Sequence, residues 1–157
     1  MEVLLSISEE GVLEHVAFDD TAGLDVDSDF EEIVDFIHRT TVDIPDNVTR
    51  IGERAFYDKR WLLGVMIPDS VLSIGDEAFS DCYYMDRITI PKSVTNIGSK
   101  AFVYCEGLME ITILNDMAVI APDAFFGCSE GLKILAKAGS SAEAFAAAHS
   151  IVFESLR

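Results

Sequence analysis

A unit of 23 residues is written four times in this chain, and a repeat of that length leaves few architectures open. The copies begin at Ile44-Pro45, Ile67-Pro68, Ile90-Pro91 and Ile113-Leu114. Val48, Val71, Val94 and Met117 follow, then Ile51, Ile74, Ile97 and Ile120. Ala55-Phe56, Ala78-Phe79, Ala101-Phe102 and Ala124-Phe125 close the register. One copy cannot bury its own apolar face, so successive copies must stack into a solenoid.

Each copy switches between two periodicities. Val42-Asp43-Ile44, Val65-Met66-Ile67, Ile88-Thr89-Ile90 and Ile111-Thr112-Ile113 alternate as strands with one buried face do. Asp43, Met66, Thr89 and Thr112 should therefore point outward. Pro68 and Pro91 follow directly, where a missing N–H ends a ladder without leaving a hole in it. A second extended stretch, Val71 to Ile74 in the second copy, comes next. Gly52, Gly75 and Gly98 are expected to mark a turn into a short helical or irregular segment that carries the Ala-Phe pair. Burying each Phe should contribute about 1.5–3 kcal/mol.

The run Ile90-Pro91-Lys92-Ser93-Val94-Thr95-Asn96-Ile97-Gly98-Ser99-Lys100-Ala101-Phe102, continuing to Cys105 and Leu108, resembles the BspA-like class of leucine-rich repeats. The resemblance covers about Asp43 to the C-terminus. The fourth copy departs from it: Leu114 replaces Pro, Ala121-Pro122 replaces the Gly turn, and an extra residue lies between Cys128 and Leu132. It implies an α/β fold, a right-handed β/α solenoid with an N-terminal hairpin-plus-helix cap and a C-terminal helix-strand cap. One domain, residues 1–157, is expected, with 1–43 as the N-terminal cap, 44–135 as four repeats and 136–157 as the C-terminal cap. The resemblance also implies roles in attachment or host interaction, often at the cell surface.

Half of the 157 residues are apolar, enough for a continuous core. The net charge of −17 is concentrated at the start, where residues 1–43 carry 13 acids and one base, Arg39. Phosphates would be repelled and no basic stripe exists, so nucleic acid is not an expected partner. No apolar run approaches the ~18 residues of a membrane span, so no membrane insertion is expected. Met1-Glu2-Val3-Leu4-Leu5 carries an acid in place of the basic n-region of a secretory signal. On that ground the cytoplasm is expected, against the cell surface or secretion that the resemblance implies.

The flanks read as lids on the stack. Residues 2–18 pattern as a β-hairpin turning at Ser8-Glu9-Glu10-Gly11. Asp19 to Ser28 is an acidic loop. Asp29, with Glu32 three residues on, caps a predicted helix from about Phe30 to Arg39, with Phe30, Ile33, Val34 and Ile37 on one face. A second helix is expected from Gly139–Glu143 through about Ala148, and Ile151-Val152-Phe153 as a closing strand. With both ends covered, a monomer is expected.

Chemistry-bearing motifs are absent. Cys82, Cys105 and Cys128 share one slot of the repeat and lack the close Cys or His neighbours of a zinc site, so a ladder of buried thiols is expected. Asp25, Asp27 and Asp29 alternate like a calcium loop, but Phe30 and Phe36 occupy the places of the required Gly and Glu. His15, His38 and His149 lie in unrelated contexts, and no nucleophile elbow or phosphate loop is present. No catalytic residue, cofactor or metal is expected.

The open sheet face is the expected binding surface for a protein or peptide, through Asp43, Met66, Thr89 and Thr112 with Arg87 and Glu110 in the neighbouring row. A merely solvated face is the bland alternative. Tyr57, Trp61, Tyr84 and Tyr104, with Tyr83, form a rival patch on the outer wall. A different function would make the chain an intracellular structural or regulatory adaptor that binds through its acidic N-terminal segment; an enzyme is the formal third alternative.

Overall fold

The computed structural model describes residues 2–19 and 40–157. The chain begins with a hairpin of β1 (Glu2–Ile7) and β2 (Val12–Asp19). Longer and two-residue strands then alternate: β3 (Thr40–Asp43), β4 (Arg50–Ile51), β5 (Leu62–Met66), β6 (Ser73–Ile74), β7 (Arg87–Ile90), β8 (Asn96–Ile97), β9 (Glu110–Ile113) and β10 (Val119–Ile120). β11 (Lys133–Lys137), helix α1 (Ser141–Ala148) and β12 (Val152–Leu156) follow.

The alternation builds two parallel stacks. One face holds β3 paired with β5, and β7, β9, β11 and β12 in a second sheet. The other runs β1-β2-β4-β6-β8-β10, antiparallel within the hairpin and parallel beyond it. The pairings β4–β6, β6–β8 and β7–β9 are offset by one repeat, Ile51 to Ile74 to Ile97 and Ile88 to Ile111. A shared period in sequence thus becomes a shared height in the stack.

The core is a set of columns. Phe56, Phe79, Phe102 and Phe125 stack nearly parallel, with ring centroids 4.8, 5.1 and 5.3 Å apart. Phe145 of α1 meets the last ring edge-on at 5.7 Å, so an edge-to-face contact ends the column. The cysteines form their own column, with the Cys82, Cys105 and Cys128 thiols donating to the carbonyls of Phe56, Phe79 and Phe102 at 3.2, 3.0 and 3.0 Å. Burial pushes the Cys82 and Cys128 thiols up to about 12 and holds Cys105 well above its ordinary value.

An α/β description overstates the helix, because the segments carrying Ala-Phe are turns. Their N–H groups reach the next rung: Arg54, Phe56 and Asp58 donate to the carbonyls of Asp76, Ala78 and Ser80, and Glu77, Phe79 and Asp81 to those of Ser99, Ala101 and Val103. Donors committed to a neighbouring rung cannot make i→i−4 bonds. Arg54, Glu77, Lys100 and Asp58, Asp81, Tyr104 take left-handed φ of 52–61° to aim these groups. The repeat glycines open the expected turn, the Gly52, Gly75 and Gly98 carbonyls accepting from the Ala55, Ala78 and Ala101 N–H groups, but turn geometry is not what requires glycine there. Gly75 does not adopt positive φ, and a Cβ there would lie 2.7 Å from the Glu53 nitrogen, so glycine is required by the close approach of rungs.

The fourth copy corrects one ladder assignment. Val48, Val71 and Val94 are fully buried, but Met117 is 80% exposed and Ala118 takes the core position. The Asn115 side chain accepts from the Met117 N–H, and the turn closes one residue late, from the Ala118 N–H to the Asn115 carbonyl. The displaced loop receives α1: Ser141 donates from its N–H to the Asp116 carbonyl and from its hydroxyl to the Ala118 carbonyl at 2.7 Å. At the Ala121-Pro122 turn, Asp123 has no left-handed φ, and its carboxylate accepts from the Ser99 hydroxyl and the Lys100 N–H.

The expected hairpin and C-terminal helix are present, the latter with Ser140 as its N-cap; the closing strand runs farther, to Leu156. Asp19, expected to open the acidic loop, ends β2 instead; the rest of that loop, the Asp25–Asp29 cluster and the helix expected over 30–39 lie outside the described residues.

Candidate protein-binding face

The face made by β3, β5, β7, β9 and β11 follows from strand alternation. Val42, Val65, Ile88, Ile111 and Ile134 point into the core, at most 5% exposed, so their neighbours must stand outward. Asp43 sits opposite Met66, Arg87 opposite Glu110, and Thr89 opposite Thr112. Asp43, Met66, Arg87 and Thr89 are exposed, while Glu110 and Thr112 are half-buried. All six candidate residues therefore share one face.

β11 and β12 extend both rows. Lys133 stands opposite Glu110 and Leu135 opposite Thr112. On β12, Glu154 accepts a charge-assisted bond from Lys133 at 2.8 Å, which raises the Lys133 pKa and lowers that of Glu154. Lys133 and Leu135 were missed although they follow Glu110 and Thr112 at the same 23-residue spacing, the extra residue before Leu132 being absorbed ahead of the strand. The alternation Lys133-Ile134-Leu135-Ala136 carried the signal.

The face is not uniform. β5 and β7 are neighbours, yet no ladder joins them. The β3–β5 register skips Leu63, placing Thr41 opposite Gly64. A cavity of about 530 Å³ opens there, lined by Thr41, Gly64, Met66, Arg87 and Thr89 among others. Arg87 lies 3.5 Å from Asp86.

On the outer wall, Tyr57, Tyr83, Tyr84 and Tyr104 are 40–49% exposed, whereas Trp61 is half-buried and packs on the core. Tyr83 and Tyr84 meet edge-on, Tyr104 meets Phe126, and the Arg54 guanidinium lies over Tyr57. Among the described residues, no group of three or more His, Cys, Asp or Glu is placed to hold a metal ion. No described helix is long and apolar enough to cross a membrane.

Comparison with known proteins points the same way. The model described as "BspA type Leucine rich repeat region (6 copies)" matches residues 35–145. A leucine rich cell surface protein from Faecalibacterium prausnitzii is similar in structure, with 30% identity and a TM-score of 0.63 over 76% of this chain. The chain spans about a third of that protein's length, 32%. A leucine-rich repeat protein from Bacteroides capillosus shares 25% identity at a TM-score of 0.62, over 86% of this chain and 94% of its own. One from Bacteroides ovatus shares 25% identity at 0.58, over 99% of this chain and 40% of its own. No curated protein matches the chain. The solenoid has about five turns, mostly sheet and little helix, and the chain belongs to the BspA-type leucine-rich repeat family, whose members are typically protein-interaction scaffolds and generally non-enzymatic.

Proposed function

We propose that this protein is a non-enzymatic scaffold whose open sheet face, centred on Asp43, Met66, Arg87, Thr89, Glu110 and Thr112, binds a protein partner. One observation carries the reading: rows of outward side chains with mixed charge, hydroxyl and thioether chemistry stand on strands whose inward residues are fully packed. Such a base holds contact residues at fixed spacing, which lowers the ordering cost of binding. A role in adhesion or host contact is supported by the description of the Faecalibacterium relative as a cell surface protein. The solenoid is right-handed, the hairpin and the α1–β12 segment close its two ends, and the protein is a monomer in this reading. The adaptor reading places its contact on an acidic segment largely outside the described residues.

The test is binding of candidate host-surface and source-cell proteins to wild type and to Arg87→Glu/Thr89→Lys. A partner lost by the double variant at unchanged melting temperature supports the face. Equal retention by both moves the contact elsewhere; the exposure of Tyr57, Tyr83, Tyr84 and Tyr104 then favours the outer wall.

A further inference from the structure

Gly64 has no role in the fold that requires glycine. Most other described glycines either adopt positive φ or have backbone atoms where a Cβ would go, and Gly131 faces the flexible end of Met109. At Gly64 φ is not positive, and the nearest atom to a built Cβ is the Thr41 hydroxyl oxygen, 3.8 Å away. Glycine inside a strand costs about 0.5–1 kcal/mol relative to alanine, so an unforced one marks a place where something else approaches the backbone.

Three further features meet there. The register irregularity of β3–β5 falls at this residue, and bulges re-aim side chains beside binding sites. The ladder is interrupted between β5 and β7. In the row that continues as Arg87, Glu110 and Lys133, Gly64 leaves one side chain's space empty, opening into the cavity flanked by Met66 and Thr41.

Charge narrows the occupant. Arg87 is balanced by Asp86 at 3.5 Å. Asp43, opposite Met66 and exposed, has no ion-pair partner among the described residues. It stands in a chain of net charge −17, whose field draws cations. Met66, 64% exposed, offers a soft apolar wall beside that carboxylate.

Resting on the sheet-face reading, we propose that the Gly64 notch receives a Lys or Arg side chain of an extended partner segment, its apolar stem against Met66 and its cationic head at Asp43. The partner is thus a basic peptide or a basic loop of a protein.

The probe is a displayed library of random peptides, selected on wild type with counter-selection on Gly64→Phe. Synthetic peptides from the enriched class are then titrated against wild type, Gly64→Val, Gly64→Phe, Asp43→Asn and Arg87→Glu/Thr89→Lys, with the melting temperature of each variant measured alongside. Enriched peptides should carry Lys or Arg beside an aliphatic residue. Their affinity should fall about tenfold or more on filling the notch and should lose part of its salt dependence with Asp43→Asn. Gly64→Val keeps the test valid should the larger Phe disturb folding. Neutral or acidic winners, winners that bind the filled variants as tightly as wild type, or no Gly64-dependent sequence at all overturn the proposal. Loss with the Arg87/Thr89 variant alone leaves the sheet face standing and removes the notch, whereas indifference to every variant removes both.

Discussion

Two chemically identical substitutions should change stability in opposite directions. At Gly75 an added Cβ lies 2.7 Å from the Glu53 nitrogen, 2.8 Å from the Gly52 carbonyl carbon and 3.0 Å from the Ile51 oxygen, all backbone atoms of the adjacent rung. Rungs are held by repeated bonds such as Gly75 N–H to the Ile51 carbonyl at 2.8 Å and Gly98 N–H to the Ile74 carbonyl at 2.9 Å. The obstacle therefore cannot swing away as a side chain would. Overpacking of this kind costs about 1–3 kcal/mol. Restricting the unfolded chain returns only about 0.4–1 kcal/mol where the native geometry is compatible. Gly75→Ala should then lose about 2 kcal/mol, or about 4–8 °C in Tm for a chain of this size. Gly64→Ala meets no atom closer than 3.8 Å and should gain about 0.5–1 kcal/mol, or about 1–3 °C. Paired urea titrations measure both, with an unchanged m-value confirming that the native state is what moved. A Gly75→Ala protein as stable as wild type, or a Gly64→Ala protein less stable, would refute the claim that one glycine serves rung spacing and the other does not.

Other consequences follow from the columns. Phe79→Ala, between rings at 4.8 and 5.1 Å, should cost about 3–5 kcal/mol in urea unfolding, while Phe126→Ala, 63% exposed, should change stability by less than about 0.5 kcal/mol; equal effects would contradict the stacked core. The thiols are neutral in the fold to about pH 12 at Cys82 and Cys128 but ionise near pH 8.5 when unfolded. Their stabilisation is fully present below about pH 8.5 and is lost as pH rises towards 12, by up to about 1.4 kcal/mol per pH unit per thiol. A triple Cys→Ala variant should lack that part of the alkaline slope, and an unchanged slope would count against the buried ladder. Ser140→Ala removes the N-cap bond to Glu143 N–H and should cost about 0.5–2 kcal/mol, with faster amide exchange confined to α1, β11 and β12. Global acceleration of exchange would mean that this end does not open separately.

The repeat made the architecture legible. Ile at each strand position, Phe at each wall position and Cys at each thiol position recur at one spacing, and stacking turns equal spacing into vertical columns whose burial no other arrangement provides. Alternation within Ile88-Thr89-Ile90 likewise assigned Thr89 and Thr112 to the open face, because strand side chains switch sides at every residue. Tertiary contacts decided the rest. Met117 matched the valine ladder by period, yet it faces solvent because docking of Ser141 on the Asp116 and Ala118 carbonyls comes with a shifted turn, a contact between segments more than twenty residues apart. Between the helical and irregular forms that the sequence left open for the Ala-Phe segments, the choice fell to turns because alternate N–H groups bond to the next rung, which local propensity does not encode. Gly64 and Gly75 are the same letter in the sequence; only the distance to the neighbouring backbone separates an open notch from a closed rung.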